Sequence, residues 1–187
     1  MKKIVLFASG SGSNAEKIMQ YGRTKSTFEV KCVFCNNPKA MVLERALLNN
    51  VPTVIFSKDD LNSGVLINKI RSMNPDLIVL AGFLLQLPTS LIEAFPNKIV
   101  NIHPALLPKY GGKGMYGQFV HQAVLDNDEK ETGITIHFVN EHYDEGEVIF
   151  QKSIAVDDCT TAEEIATKVH ALEHEFYPKV IEQVLTH

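Results

Sequence analysis

Few cysteines, no long apolar run and no excess of basic residues set the first limits on this chain of 187 residues. Its three cysteines, Cys32, Cys35 and Cys159, are an odd number in a chain whose start has no signal-like pattern, which points to a reducing cytoplasm. Cys32 and Cys35 form a CxxC, yet they lie inside an apolar strand pattern with no second pair, against a thioredoxin-like or zinc-binding role. The longest apolar stretch, Leu77 to Leu87, falls well short of the roughly 20 residues that cross a bilayer, so no membrane segment is expected. A formal net charge of -4 leaves no basic field to recruit nucleic acid or an anionic membrane, and an anionic ligand would have to be met locally.

What is present is an ordinary globular composition, 45% hydrophobic and 21% charged, in a length that suits a single domain burying roughly 70% of its unfolded surface. Strand patterns fall at 3–8, 28–35, 51–56, 77–81 and 99–103. Between them, helical patterns begin near Ala15 and run over 39–50, 60–73 and 89–95, with a weak point at Gly64. Pro52 marks the third strand as an edge, and the continuous β-branched run Leu77 to Ala81 marks a central strand. The alternation predicts an α/β fold: a doubly wound, mostly parallel, Rossmann-like sheet. After a helix over 118–127, two strands over 133–139 and 147–154 predict an antiparallel pair in the C-terminal half. A long C-terminal helix over 161–185 opens with a capping signature and is expected to kink or split at Pro178. Residues 1–103 then form a phosphate-binding half, and 104–187 carry a lid, a hairpin and the final helix.

The strand over 99–103 places Asn101 and His103 two residues apart, on one face, at the end where open α/β sheets bind ligands. Pro104 turns the chain away immediately afterwards. The first strand runs into Ser9-Gly10-Ser11-Gly12-Ser13-Asn14, a small-residue turn feeding a helix N-terminus, which suits a phosphate, with Ser13 and Asn14 as possible side-chain donors. Ala15 replaces the third glycine of a dinucleotide fingerprint, and no ribose-binding acid follows the second strand, so a monophosphate fits better than a dinucleotide. The apolar loop Gly82 to Pro88 could wall a pocket for a flat ligand. Lys109 to Gly117 holds four glycines in nine residues and is expected to be a mobile lid. In the long hairpin loop, Asp144, Glu145 and Glu141 are each able to reach a neighbouring pocket. His170-Ala171-Leu172-Glu173-His174 matches the HxxEH spacing of inverted zinc peptidases, but no third ligand stands downstream, and no metal is expected.

With SGSGSN at 9–14, VLAGF at 79–83, NIHPALLPKY at 101–110, TGITIHFV followed by Asp144, and EHEFYPKVI at 173–181, the whole chain resembles the phosphoribosylglycinamide formyltransferase family of purine synthesis. The resemblance implies transfer of formyl from 10-formyltetrahydrofolate, as cosubstrate, to the amine of glycinamide ribonucleotide. It implies catalysis by Asn101, His103 and Asp144. It assigns the ribonucleotide and its phosphate to Gly12, Ser13, Asn14, His170 and Glu173, and the folate to Leu84, Leu85, Gln86, Leu87, Asn101, Val139 and Asn140, with Lys58 as a further candidate. The chain departs from the family at Leu85, where a basic residue is common, around 58–64, which is shorter, and at 109–124, where the lid is extended. Small-molecule partners alone, a monomer or weak homodimer, and a cytoplasmic location are expected. The alternatives are hydrolysis of the same donor, for which this chain lacks the extra regulatory domain, and a non-catalytic sugar-phosphate-binding module.

Overall fold

The computed structural model describes residues 1–186 and arranges them as one seven-stranded sheet in the order β3-β2-β1-β4-β5-β6-β7. The strands are β1 (Lys2–Ala8), β2 (Phe28–Cys35), β3 (Thr53–Ile55), β4 (Leu77–Leu80), β5 (Ile99–His103), β6 (Glu131–Phe138) and β7 (Val148–Ala155). β1 to β5 are mutually parallel, and β6 runs antiparallel to both β5 and β7. The helices are α1 (Ser13–Lys25), α2 (Val42–Leu48), α3 (Lys58–Asn62), α4 (Val65–Met73), α5 (Thr89–Ala94), α6 (Gln118–Asp126) and α7 (Ala162–Thr186). No helix among the described residues is long and apolar enough to cross a membrane.

Alternation along β1 builds two cores at once. Ile4, Leu6 and Ala8 face one side with residues of α1, α2, α6 and α7, whereas Val5 and Phe7 face the other with residues of α3, α4 and α5. Cys32 and Cys35, three apart on β2, therefore fall in opposite cores and cannot act as a pair. The strand order reverses between β1 and β4, so the loops leaving these two strands diverge and open a crevice at their carboxyl ends.

Several boundaries differ from the sequence pattern for local reasons. The expected single helix over 60–73 is two, α3 and α4, because the chain turns left-handed at Gly64 (φ +79°). Ser57 and Asp60 close a capping box that starts α3 early. α2 begins at Val42 rather than near residue 39, since the segment before it is a turn in which Ala40 N–H bonds the Asn37 carbonyl. The third strand is trimmed to three residues on the sheet edge. α7 is not split at Pro178: its helical assignment is continuous across that residue, although Pro178 has no N–H to offer the fourth carbonyl before it.

Immediately before that proline, fully buried Tyr177 donates its hydroxyl to the Leu80 carbonyl at 2.9 Å and lies 3.4 Å from that of Val100, pinning α7 across the ends of β4 and β5. Tyr177→Phe should lower the unfolding free energy by about 1–2 kcal/mol, the cost of stranding a buried acceptor. Urea denaturation measures this, and an unchanged midpoint and slope would show the hydroxyl to be incidental.

Candidate active site

The crevice is a cavity of about 370 Å³ whose walls include the loop after β1, the loop after β4, the end of β5, the glycine segment before α6, the β6–β7 turn and one face of α7. At its centre two imidazoles and a backbone N–H converge on a largely buried carboxylate. Asp144 Oδ2 accepts the Gly112 N–H at 2.9 Å and lies 3.5 Å from His103 Nδ1, while Oδ1 lies 3.7 Å from His137 Nε2. The residue sits in the left-handed region (φ +56°), which aspartate tolerates better than most side chains, and that turns its carboxylate inward while Glu141 and Glu145 stay exposed.

Hydrogen bonding fixes which nitrogen of each imidazole carries a proton. His103 Nε2 is 2.7 Å from the Tyr110 carbonyl and must donate to it, leaving Nδ1 as the basic nitrogen on the Asp144 side. His137 Nδ1 likewise donates to the Phe138 carbonyl at 2.9 Å, so neutral His137 presents the Nε2 lone pair to Asn101 Nδ2 at 3.3 Å. Asn101 spends one N–H there and keeps the other. Burial holds the His103 pKa below the usual imidazole value, against the pull of Asp144 and the Tyr110 carbonyl. Burial alone would raise Asp144, but the approach of His137, the His103 imidazole and the Gly112 N–H together hold it below the ordinary carboxylate range. The result is a neutral imidazole beside an ionised carboxylate, ready to accept a proton and be stabilised as imidazolium.

Around this centre every residue that the family resemblance assigned to catalysis, ribonucleotide or folate lines the cavity except Lys58, which lies on an adjoining hollow shared with Leu84 to Leu87 and Tyr143; Glu145 and His174 lie outside it. Gly12, Ser13 and Asn14 form one end with His170 and Glu173. Gly12 (φ +74°) is braced so closely by Val42 that a Cβ there would collide with it. Arg45 on α2 donates to the Ser11 carbonyl at 2.9 Å and to Glu16, fastening the loop from behind. Asn14 gives one N–H of its Nδ2 to Glu173 at 2.8 Å, a partner for a carboxyl only 5% exposed, and keeps the other. Its Oδ1 is buried with no partner among the described residues, an acceptor suited to a hydroxyl rather than to phosphate oxygen. Burial raises the Glu173 carboxyl pKa, with Asn14 and His170 opposing.

The residues of the HxxEH pattern turn to other partners. Glu173 turns to Asn14, the His170 and His174 rings stack with centroids 6.3 Å apart, and no group of three ligands that could hold a metal occurs among the described residues. The residues that sequence reasoning missed are His137, Thr135, Ser9 and His121. His137 stands directly opposite Asn101 in the β5–β6 ladder, as Thr135 stands opposite His103. Thr135 Oγ1 donates to the Ala105 carbonyl at 2.7 Å and accepts the Leu107 N–H at 3.0 Å, fixing the bend after His103. Ser9 Oγ donates to Asn36 at 2.7 Å and accepts the Leu84 N–H at 2.9 Å, tying together the loops after β1 and β4. The alternation within TGITIHFV carried the signal for His137 and Thr135, which needed only the strand register to be read.

The chain that carries this imidazole, carboxylate and amide cluster is similar to known proteins over nearly its full length. Residues 2–181 match the family described as formyl transferase. The chain belongs to that family. It is 40% identical over 187 residues to "Phosphoribosylglycinamide formyltransferase, chloroplastic" of Arabidopsis thaliana, covering 96% of this chain and 64% of the relative. It is 37% identical over 191 residues to "Phosphoribosylglycinamide formyltransferase" of Bacillus subtilis, covering 99% and 95%. Of that chloroplastic relative and the one from Vigna unguiculata, the chain spans under two thirds of the length. The crystal structure of glycinamide ribonucleotide transformylase 1 from Geobacillus kaustophilus superposes with a TM-score of 0.90 at 34% identity, covering 99% of each chain.

His121, on α6, lines the cavity with 1% exposure, and burial, followed by the neighbouring His170 and His103, pushes its pKa down to about 4. Because the folded value lies below the unfolded value of about 6.5, its stabilising contribution is complete above that pH and lost as pH falls toward 4. His103 and His174 are shifted in the same direction. Between pH 7 and pH 5 the unfolding free energy should fall by about 2 kcal/mol through His121 alone. Urea titrations at the two pH values should give a smaller loss for His121→Gln, and an equal loss would count against this assignment.

Proposed function

We propose that this chain transfers the formyl group of 10-formyltetrahydrofolate to the amine of glycinamide ribonucleotide, yielding the formylated amide and tetrahydrofolate in purine synthesis. The observation that carries the reading is the convergence of Asn101, His103, His137 and Asp144 in the same cavity as the Gly12–Asn14 loop. The names of relatives at 40% and 37% identity support it.

In this reading the loop N–H groups at the start of α1 take the ribonucleotide phosphate, and Asn14 Oδ1 with Glu173 and His170 meets the ribose. The folate ring system lies along Leu84, Leu85, Gln86, Leu87, Val139 and Asn140, and its tail runs over the adjoining hollow toward Lys58. The substrate amine attacks the formyl carbon, forming a C–N bond and a tetrahedral oxyanion. Asn101, its amide oriented by His137, donates its second N–H to that oxygen. His103 takes the proton released by the amine, with Asp144 stabilising the imidazolium. The same proton then passes to the folate nitrogen as its bond to the formyl carbon breaks. Neither a metal nor a covalent enzyme intermediate enters this sequence. Small-molecule substrates are the only partners in this reading, the chain acts as a monomer or weak homodimer, and it works in the cytoplasm, where thiols such as the buried Cys32 and Cys35 stay reduced.

Tetrahydrofolate formation followed by absorbance, with and without glycinamide ribonucleotide, tests the reaction. Amine-dependent turnover is expected, turnover without the amine would indicate a hydrolase, and none at all would indicate a binding module. Asn101→Ala should lower kcat by about 10²–10³ with little change in KM, as loss of one oxyanion donor does elsewhere. Full kcat in Asn101→Ala or in Asp144→Asn would remove the mechanism.

A further inference from the structure

A ribonucleotide phosphate carries close to two negative charges, yet no lysine or arginine is among the residues lining the cavity. The carboxylates there, Asp144, Glu173 and Glu141, add negative charge of their own. Arg45 stands behind the phosphate loop with its guanidinium engaged by Glu16 and the Ser11 carbonyl. His121 is neutral at physiological pH, its Nδ1 buried without a partner among the described residues. The helix dipole supplies about half a charge and the loop N–H groups supply donors, which leaves the dianion without a full countercharge.

The glycine segment between β5 and α6 holds the missing cation. Gly112 and Gly114 both line the cavity, and Lys113 between them is exposed. No carboxylate among the described residues forms a salt bridge with it. One end of the segment touches the reacting centre: the Tyr110 carbonyl accepts from His103 Nε2, and the Gly112 N–H donates to Asp144. The other end reaches the ribonucleotide side, where Gln118 donates to Glu163 on α7 and His121 meets His170 edge to face at 6.1 Å. Between these anchors Gly112, Gly114 and Gly117 take positive φ, and no neighbouring atom stands within 4 Å of where a Cβ would be at any of them. The span is thus tethered at both ends, with open space beside its central glycines.

We propose that Lys113 is the specificity-determining cation of the ribonucleotide site, brought onto the substrate phosphate as the 111–117 segment folds down over it. The proposal deepens the formyl-transfer reading and rests on its placement of the phosphate at Gly12 to Asn14. The Gly112 N–H and the Tyr110 carbonyl already hold Asp144 and His103, so the segment reaches the phosphate while staying fastened to the acid–base pair at its other end.

The test pairs kinetics with binding on the intact protein. Lys113→Ala should raise the KM for glycinamide ribonucleotide about tenfold or more, the worth of a charge-assisted hydrogen bond to phosphate, and leave the KM for the formyl donor unchanged. Lys113→Arg should restore most of the loss. Wild-type KM for the ribonucleotide should rise with salt more steeply than that of Lys113→Ala. Calorimetric titration with ribose 5-phosphate, which needs no turnover, should show the same loss of affinity in Lys113→Ala. Equal affinity of the two proteins for ribose 5-phosphate, or an unchanged ribonucleotide KM, overturns the assignment. Absence of amine-dependent turnover in the wild type, with ribose 5-phosphate binding still dependent on Lys113, would overturn formyl transfer alone.

Discussion

Holding one carboxylate ionised inside the protein constrains much of what surrounds it. Asp144 gives up most of its water, and the loss is met by a backbone N–H that donates to it and by two imidazoles within reach that can take up a proton, all from three different segments. Each has to be delivered separately: His103 by the end of β5, His137 by β6, and the Gly112 N–H by the glycine segment. The backbone conformation at 144 then aims the group inward. Removing any one supplier leaves a buried charge short of a partner, so the cluster is a condition on the fold as much as an instrument of chemistry.

The sheet meets that condition by combining two kinds of pairing. Parallel strands β1, β4 and β5 bring their carboxyl ends to one rim, where loops of unrelated sequence face the same space. Antiparallel β6 then returns beside β5, which sets side chains of two strands directly opposite each other. Asn101 with His137, and His103 with Thr135, are two such pairs. Tyr177 closes the back of this rim by bonding the carbonyls of both parallel strands, and Ser9 links the two loops in front.

Much of this was legible from residue order. The alternation of elements gave the doubly wound sheet with its antiparallel pair, and Asn101-Ile102-His103-Pro104 announced polar side chains at a strand end. The small-residue turn at 9–14 reads as an anion loop without any coordinates. What stayed hidden depends on neighbours distant in sequence. His137 lies inside an apolar strand pattern, and its value comes from standing across from Asn101. The commitment of the Asn14 amide to Glu173 joins residues 159 positions apart, and no local pattern announces it. Choosing Asp144 over Glu141 and Glu145 required a backbone angle. Gly64 was visible as a weakness, but whether it bends one helix or divides two depends on the capping box formed just upstream.

The register between β5 and β6 has one more consequence. Asn101 and His137 face each other in the ladder, and the 31 residues from Pro104 to Ile134 leave that ladder before the chain rejoins it at Thr135. Any lengthening or recoding of the glycine span within that excursion leaves the two facing side chains where they are, provided the strands rejoin in step. The part of the excursion beyond Gly112 is therefore a replaceable cassette, in which the selection of an incoming molecule could be rewritten while Tyr110 and Gly112 keep the base and the acid in their places.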